Sequence, residues 1–154
     1  MKLNYFVIPL VAFLTAFIGG LITSGGMAWY KTIRLPSWTP PGGVIGAVWT
    51  VLFVLSAISA LMVWNGAPHD ARFWLIIALF VLNACANVFW SYLFFGAHFM
   101  YAAFWEAIFL DLTVLGLIAL IWPLSLTAAL LLVPYAVWVA FASYLTYSVW
   151  LLNH

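Results

Sequence analysis

Residues Trp29 to Phe53 read W-Y-K-T-I-R-L-P-S-W-T-P-P-G-G-V-I-G-A-V-W-T-V-L-F, the longest interruption in an otherwise apolar chain. Pro36, Pro40 and Pro41 fix φ and remove backbone donors, and Gly42 and Gly43 restore freedom, so residues 35–43 are excluded from regular helix. They form a structured loop. At its edges stand Trp29, Tyr30 and Trp38 with Lys31 and Arg34, and it leads into a helix whose first turns carry Trp49 and Phe53. Two readings stand side by side: the aromatic residues anchor the chain at a membrane–water interface, or the loop is a lid over the mouth of a helix bundle.

Composition decides what lies on either side of that loop. With 69% hydrophobic and 5% charged residues in a chain of 154, too few polar side chains exist to cover a soluble globule. The chain reads as an all-α integral membrane protein. A span needs roughly 20 apolar residues, and turn signals divide the sequence into five such stretches, at about 5–29, 44–64, 73–95, 100–122 and 126–152, with the loop at about 30–43. All 154 residues then form a single membrane domain, a five-transmembrane-helix bundle. The runs are continuous rather than alternating over ~10 residues, which argues against barrel strands.

Lys2 is followed by no small-residue cleavage site, so the first stretch reads as a retained span and not a removed signal. Lys2 and Arg72 fall on one side of the membrane and Lys31 and Arg34 on the other, leaving orientation open. The single Cys85 permits no disulfide within the chain. A net charge of +1 gives no basis for nucleic-acid binding.

Candidate site residues come from the faces of the spans. Trp49 and Phe53 are four apart and share a face, as do Asn83 and Asn87. Two amides in hydrocarbon need partners, so the asparagine face points into the bundle, either to hold helices together or to meet a ligand. In the fifth span Tyr135, Trp138, Ala142 and Thr146 make one stripe with a small residue between larger ones, a gap suited to a flat apolar ligand. Glu106 and Asp111, five apart and so rotated by about 140°, do not pair; each is expected to be protonated or to bond a Thr, Tyr or Trp donor, with structural bonds preferred over a proton-coupled role. The first span's Ala12, Ala16, Gly20 and Ser24, with Thr15, Gly19 and Thr23 beside them, are expected to pack against another helix of the chain, with a dimer face as the alternative. No metal-ligand spacing, phosphate loop or nucleophile–base set is visible, and His69, His98 and His154 all sit at span ends, so no metal or resident cofactor is expected.

The order of W-T-P-P-G, V-W-T-V-L-F, N-x-x-W-S-Y-L-F-F-G and V-P-Y-A-V-W-V-A-F-A-S-Y-L-x-x-x-x-W-x-L-N on five spans resembles the tryptophan-rich sensory protein family, also called the translocator protein or peripheral benzodiazepine receptor family. The resemblance covers essentially the whole chain. It implies a compact bundle, often a homodimer, whose pocket between the helices is closed by the loop and binds porphyrins such as protoporphyrin IX and haem, with sterols and benzodiazepine-type ligands in many members. It places that pocket on Tyr30, Pro40, Trp49, Phe53, Asn87, Leu93, Trp138 and Ala142, and with Trp38 and Tyr135 from the residue-level reading these are the ligand-binding candidates. The overlap favours the lid.

The resemblance further implies a receptor or transporter, a light-dependent porphyrin-degrading enzyme using Trp49 and Trp138, or a ligand-sensing stress regulator. Two departures matter. Leu145-Thr146 stands where the family usually has Leu-Asn, and no Lys or Arg follows Tyr144 or Tyr147 in the quoted sterol pattern, so weaker sterol than porphyrin binding is expected. Short loops suit a bacterial cytoplasmic membrane; a mitochondrial outer-membrane member would look similar.

Overall fold

The computed structural model describes residues 3–154, so Lys2 lies outside the described residues. Its long helices are α1 (Asn4–Tyr30), α2 (Gly42–Gly66), α3 (Ala71–Ser91), α4 (Met100–Ile121) and α6 (Val133–Leu152), with a short α5 (Leu126–Leu130) leading into the last. Five stretches are long and apolar enough to cross a membrane, the third running on to Gly96 and the fifth comprising α5 and α6. No strand occurs among the described residues. The chain is an integral membrane protein.

The ends of the helices follow from local chemistry. Gly42 and Gly43, expected in the loop, are instead the first residues of α2, because Pro41 sits extended before them and its carbonyl accepts from the Val44 and Ile45 N–H groups. Ala67, held extended before Pro68, stops α2. Asp70 caps α3, its carboxylate accepting from the Phe73 N–H at 2.9 Å. At the far end of α3 the backbone widens into a π turn over Tyr92–Gly96, the Ala97 N–H donating to the Tyr92 carbonyl at 2.7 Å. His98 then takes φ of 60°, a left-handed conformation costly for a side chain with a Cβ; its ring lies flat on Trp29, centroids 4.0 Å apart. Pro123 ends α4, and Ser125 caps α5 through the Ala128 N–H. Pro134, with no N–H to donate backward, separates α5 from α6.

Around the bundle the spans follow the order second, first, third, fourth, fifth. The closest seams are α4 with α6 and α3 with α4, and they hold the fully buried Phe73, Ile76, Val114, Leu117, Ile121 and Val139. The ring closes poorly between second and fifth spans. There α2 is pinned to α5, where the Ser59 hydroxyl donates to the Ala128 carbonyl at 2.8 Å, but meets α6 at few points. The two helices diverge toward the loop end.

The small-residue stripe of α1 turns out differently from expectation. Thr15, Gly19 and Gly26 are buried, whereas Ala16, Gly20 and Ser24 are exposed and nothing lies within 4 Å of a Cβ on Gly20. The packed line runs one register position away because α1 is set by its closest approach to the π turn: a Cβ on Gly26 would strike the Phe95 carbonyl oxygen and lie 2.7 Å from its Cβ. Gly42 and Gly46, spaced like a close-packing pair, also have nothing near them.

Candidate functional site

The divergence of α2 and α6 leaves a groove of about 590 Å³, lined by Ala47, Val48, Val51 and Leu52 on one side and Pro134, Val137, Trp138 and Phe141 on the other. Its walls carry no titratable side chain. The inner wall is aromatic: Trp138 lies 5.3 Å from Phe141 between ring centroids, and Phe141 meets the edge of the loop's Trp38 at 5.8 Å. Trp38 in turn stacks on Tyr144 at 5.4 Å. The loop reaches the groove through this one side chain, itself 43% exposed, while Pro40 is half-buried behind it.

One polar atom stands out. The Trp138 indole N–H is buried and has no acceptor, although buried indole N–H groups usually find one. The atom has almost no accessible surface, so a ligand in the groove meets the carbon atoms of the ring and not its N–H.

Behind the groove a polar chain ties three spans together. The Tyr135 hydroxyl donates to Asn83 Oδ1 at 3.0 Å and accepts from Asn87 Nδ2 at 3.3 Å, Asn83 Nδ2 donates to Thr113 Oγ1 at 2.8 Å, and Thr113 donates to the Leu110 carbonyl at 2.7 Å. The asparagine face points inward as expected, and its amides bond protein. Trp49 packs its face on Phe53 at 5.6 Å and meets Tyr135 edge-on at 5.9 Å.

The residues expected to share one pocket are therefore spread over several places. Trp138 lines the groove, Trp49 and Tyr135 stand beside it, and Asn87 reaches it only through the Tyr135 hydroxyl. Ala142, half-buried, is engaged by its carbonyl, which accepts from Thr146 Oγ1 at 2.8 Å. Phe53 faces a second, smaller cavity among the first three spans. Tyr30 and Leu93 belong to a separate aromatic cluster at the loop end, where Tyr30 lies 5.5 Å from Phe95 and Leu93 is buried with Phe94, Trp90 and Trp29 packed around it. The groove is built from the second and fifth spans and opens sideways; the third span contributes no wall to it.

Sequence reasoning missed Val48, Leu52, Pro134, Val137 and Phe141. The stripe chosen on the fifth span ran through Ala142, and the helix is rotated so that Trp138 and Phe141, three apart, face the gap. The expectation that Glu106 and Asp111 bond Thr, Tyr or Trp donors is corrected: among the described residues both Glu106 oxygens and Asp111 Oδ1 are buried without a partner, the Thr113 hydroxyl donating to the Leu110 carbonyl and the Tyr135 hydroxyl to Asn83. No group of three His, Cys, Asp or Glu that could hold a metal ion occurs among the described residues.

The profile of the TspO/MBR family matches residues 7–151. The chain belongs to this family. Among its relatives, Protein CrtK of Rhodobacter capsulatus is 34% identical over 153 residues, 99% of this chain and 95% of the relative. Tryptophan-rich protein TspO of Bacillus cereus is 32% identical over 154 residues, 99% of each chain. The human Translocator protein is 31% identical over 143 residues, 92% of this chain and 85% of its own. A bacterial and a human member of the TspO/MBR family are thus about equally similar to this sequence, and both align over nearly all of the bundle.

Proposed function

We propose that the protein is a membrane receptor or transporter for tetrapyrroles, protoporphyrin IX and haem among them, and that a flat apolar ligand lies between the second and fifth spans against Trp138, with Trp38 over its outer edge. The observation that carries this reading is a groove of about 590 Å³ with an aromatic wall of Trp138 and Phe141, against which the loop sets Trp38. That volume falls within the usual range for small-molecule sites, roughly 300–1,000 Å³. The walls supply aromatic rings against which a flat macrocycle can pack.

The groove opens toward lipid, which suits a ligand that partitions into the bilayer. Sterols and benzodiazepine-type molecules meet the same walls, but a sterol presents a single hydroxyl and no flat π system, so weaker binding than for protoporphyrin IX is expected. A homodimer belongs to this reading, since the uncovered Ala16, Gly20 and Ser24 strip suits close approach of a second helix. A bacterial cytoplasmic membrane is its proposed home.

Light-dependent porphyrin degradation is the second reading, favoured by the position of the Trp138 indole in the groove wall. One titration separates the two. Protoporphyrin IX is added to the purified protein in the dark while tryptophan fluorescence is followed, and the absorbance of the porphyrin is then recorded under illumination. Saturable quenching is the expected result; Trp138→Phe, which keeps an aromatic wall, should leave the affinity within about threefold, whereas Trp138→Ala should weaken it by about tenfold. Stable absorbance in the light favours the receptor; bleaching that Trp138→Phe abolishes favours degradation. Absence of saturable quenching overturns both.

A further inference from the structure

The second cavity shares no lining residue with the groove and differs from it in chemistry. It lies among α1, α2 and α3 in the half of the bundle away from the loop and has a volume of about 160 Å³. Val7, Val11 and Val81, at 42%, 43% and 54% exposure, stand at its mouth, so it opens to lipid beside α1 and α3. Phe53, Ala57 and Ala60 form the far wall.

Three polar side chains line it, Thr15, Ser56 and Asn83. Thr15 donates to the Val11 carbonyl at 2.9 Å and is thereby satisfied. Of the other hydroxyls on α2, Thr50 donates to the Gly46 carbonyl and Ser59 to the Ala128 carbonyl, whereas Ser56 donates to neither backbone nor side chain among the described residues. Asn83 uses one amide hydrogen on Thr113 and its oxygen on Tyr135, which leaves the second amide hydrogen unused. An apolar chamber therefore offers a hydroxyl and an amide N–H without partners.

We propose that this chamber is a second ligand site, one that takes from the bilayer a neutral single-ring molecule bearing one oxygen, of the phenol or benzyl alcohol type. Size sets the first limit, because an apolar cavity of roughly 150 Å³ holds benzene, and a tetrapyrrole is far too large. Charge sets the second. No ionic side chain lines the chamber, so an ionised ligand would be desolvated without compensation. The oxygen follows from Ser56 and Asn83: a bare hydrocarbon or a lipid acyl chain fills the space but leaves both donors facing methylene groups.

The chamber borders the two supports of Trp49, which stands beside the groove without lining it. Phe53 is a wall of the chamber and stacks on Trp49, and Asn83 holds the Tyr135 hydroxyl whose ring meets Trp49 from the other side. A ring seated between Phe53 and Asn83 touches both supports of Trp49.

The test uses 4-fluorophenol and fluorobenzene as probes of the full-length protein in detergent micelles, read by fluorine NMR. The expected result is saturable binding of 4-fluorophenol, retained in Trp138→Phe and in the presence of saturating protoporphyrin IX in the dark. Fluorobenzene, and 4-fluorophenol with Ser56→Ala, should each bind about fivefold more weakly, the loss of one net hydrogen bond. Ala57→Leu, which fills the chamber, should abolish binding; should that variant not fold, the Ser56→Ala and fluorobenzene comparisons decide alone. Non-saturable partitioning, equal binding of the two probes, or displacement by protoporphyrin IX each overturns the proposal. So does loss of the signal when phospholipid replaces detergent, which would identify an acyl chain as the occupant.

Discussion

The two sides of the bundle are packed to different standards. Of the apolar stretches that cross the membrane, 39% is buried in α4 and in the fifth span, against 11% in α1 and 17% in α2. On the first side the seams hold fully buried side chains such as Val114, Leu117 and Ile121, and a polar chain through Asn83, Tyr135 and Thr113 ties the helices together. On the second side α2 is pinned at Ser59 and otherwise stands off, with the groove to one flank and the smaller chamber to the other. In a membrane, helices gain little from hiding apolar surface from one another and associate by packing and hydrogen bonds. A helix with few of either is free to have space beside it, and ligand volume in this molecule is found where packing is weakest.

The sharpest way to break that comparison is a pair of truncations. Leu117, fully buried in the α4 seam, becomes Ala, and Val51, an exposed residue on the groove side of α2, becomes Ala. Leu117→Ala should cost roughly 2–5 kcal/mol of unfolding free energy in mixed micelles, since the cavity cannot collapse against close-packed neighbours. Val51→Ala should stay within about 0.5 kcal/mol, as for surface positions. Equal costs at the two positions would show that the two sides are packed alike.

Tyr135 joins the sides, and its hydroxyl sharpens the comparison. Tyr135→Phe keeps the ring edge against Trp49 but leaves Asn83 Oδ1 without a donor and Asn87 Nδ2 without an acceptor. A loss of about 1–3 kcal/mol is expected from the stranded amides. The decisive readout is where the change appears: Trp49 fluorescence should shift together with the stability. A stability loss with an unchanged emission spectrum would mean that the polar chain holds only the rigid side.

Much of this was readable from the chain, and the limits have a common cause. Five spans and the loop follow from run length and from Pro36, Pro40 and Pro41, which act locally. The inward turn of Asn83 and Asn87 follows from the cost of an amide in hydrocarbon. Rotation of a helix that is apolar all round does not follow, because lipid and protein accept the same side chains: Ala16 and Gly20 read like a packing face yet point outward, and Phe141 reads like lipid-facing bulk yet lines the groove. Likewise nothing in the spacing of Glu106 or Asp111 tells that the Thr113 and Tyr135 hydroxyls donate elsewhere, to the Leu110 carbonyl and to Asn83. Residues for the candidate site were thus recognised by type, Trp138 and Tyr135 among them, while their division between groove, chamber and loop-end cluster depended on helix rotations that periodicity leaves undetermined.

The smallest effect on stability should come from the loop, and it bears most directly on ligand exchange. Asn153, just past α6, accepts from the Arg34 N–H at 3.0 Å through Oδ1 and donates from Nδ2 to the Arg34 carbonyl at 2.9 Å, a two-point clamp that fixes the loop to the end of the last span. Within the loop, the Pro36 carbonyl accepts from the Thr39 N–H at 3.0 Å and from its hydroxyl at 2.7 Å, so the turn that carries Trp38 is stiff in itself. Releasing the clamp should then move the turn as one piece. Asn153→Ala is expected to cost no more than about 1 kcal/mol, because the bonds are exposed and water replaces them. Trp38 loses its anchor beside Tyr144 and Phe141, however, so dissociation of protoporphyrin IX, measured by stopped-flow dilution in the dark, should accelerate severalfold while association changes little. Acceleration of both rates to the same degree would mean that the loop gates entry without holding the ligand, and an unchanged dissociation rate would remove Trp38 from the site.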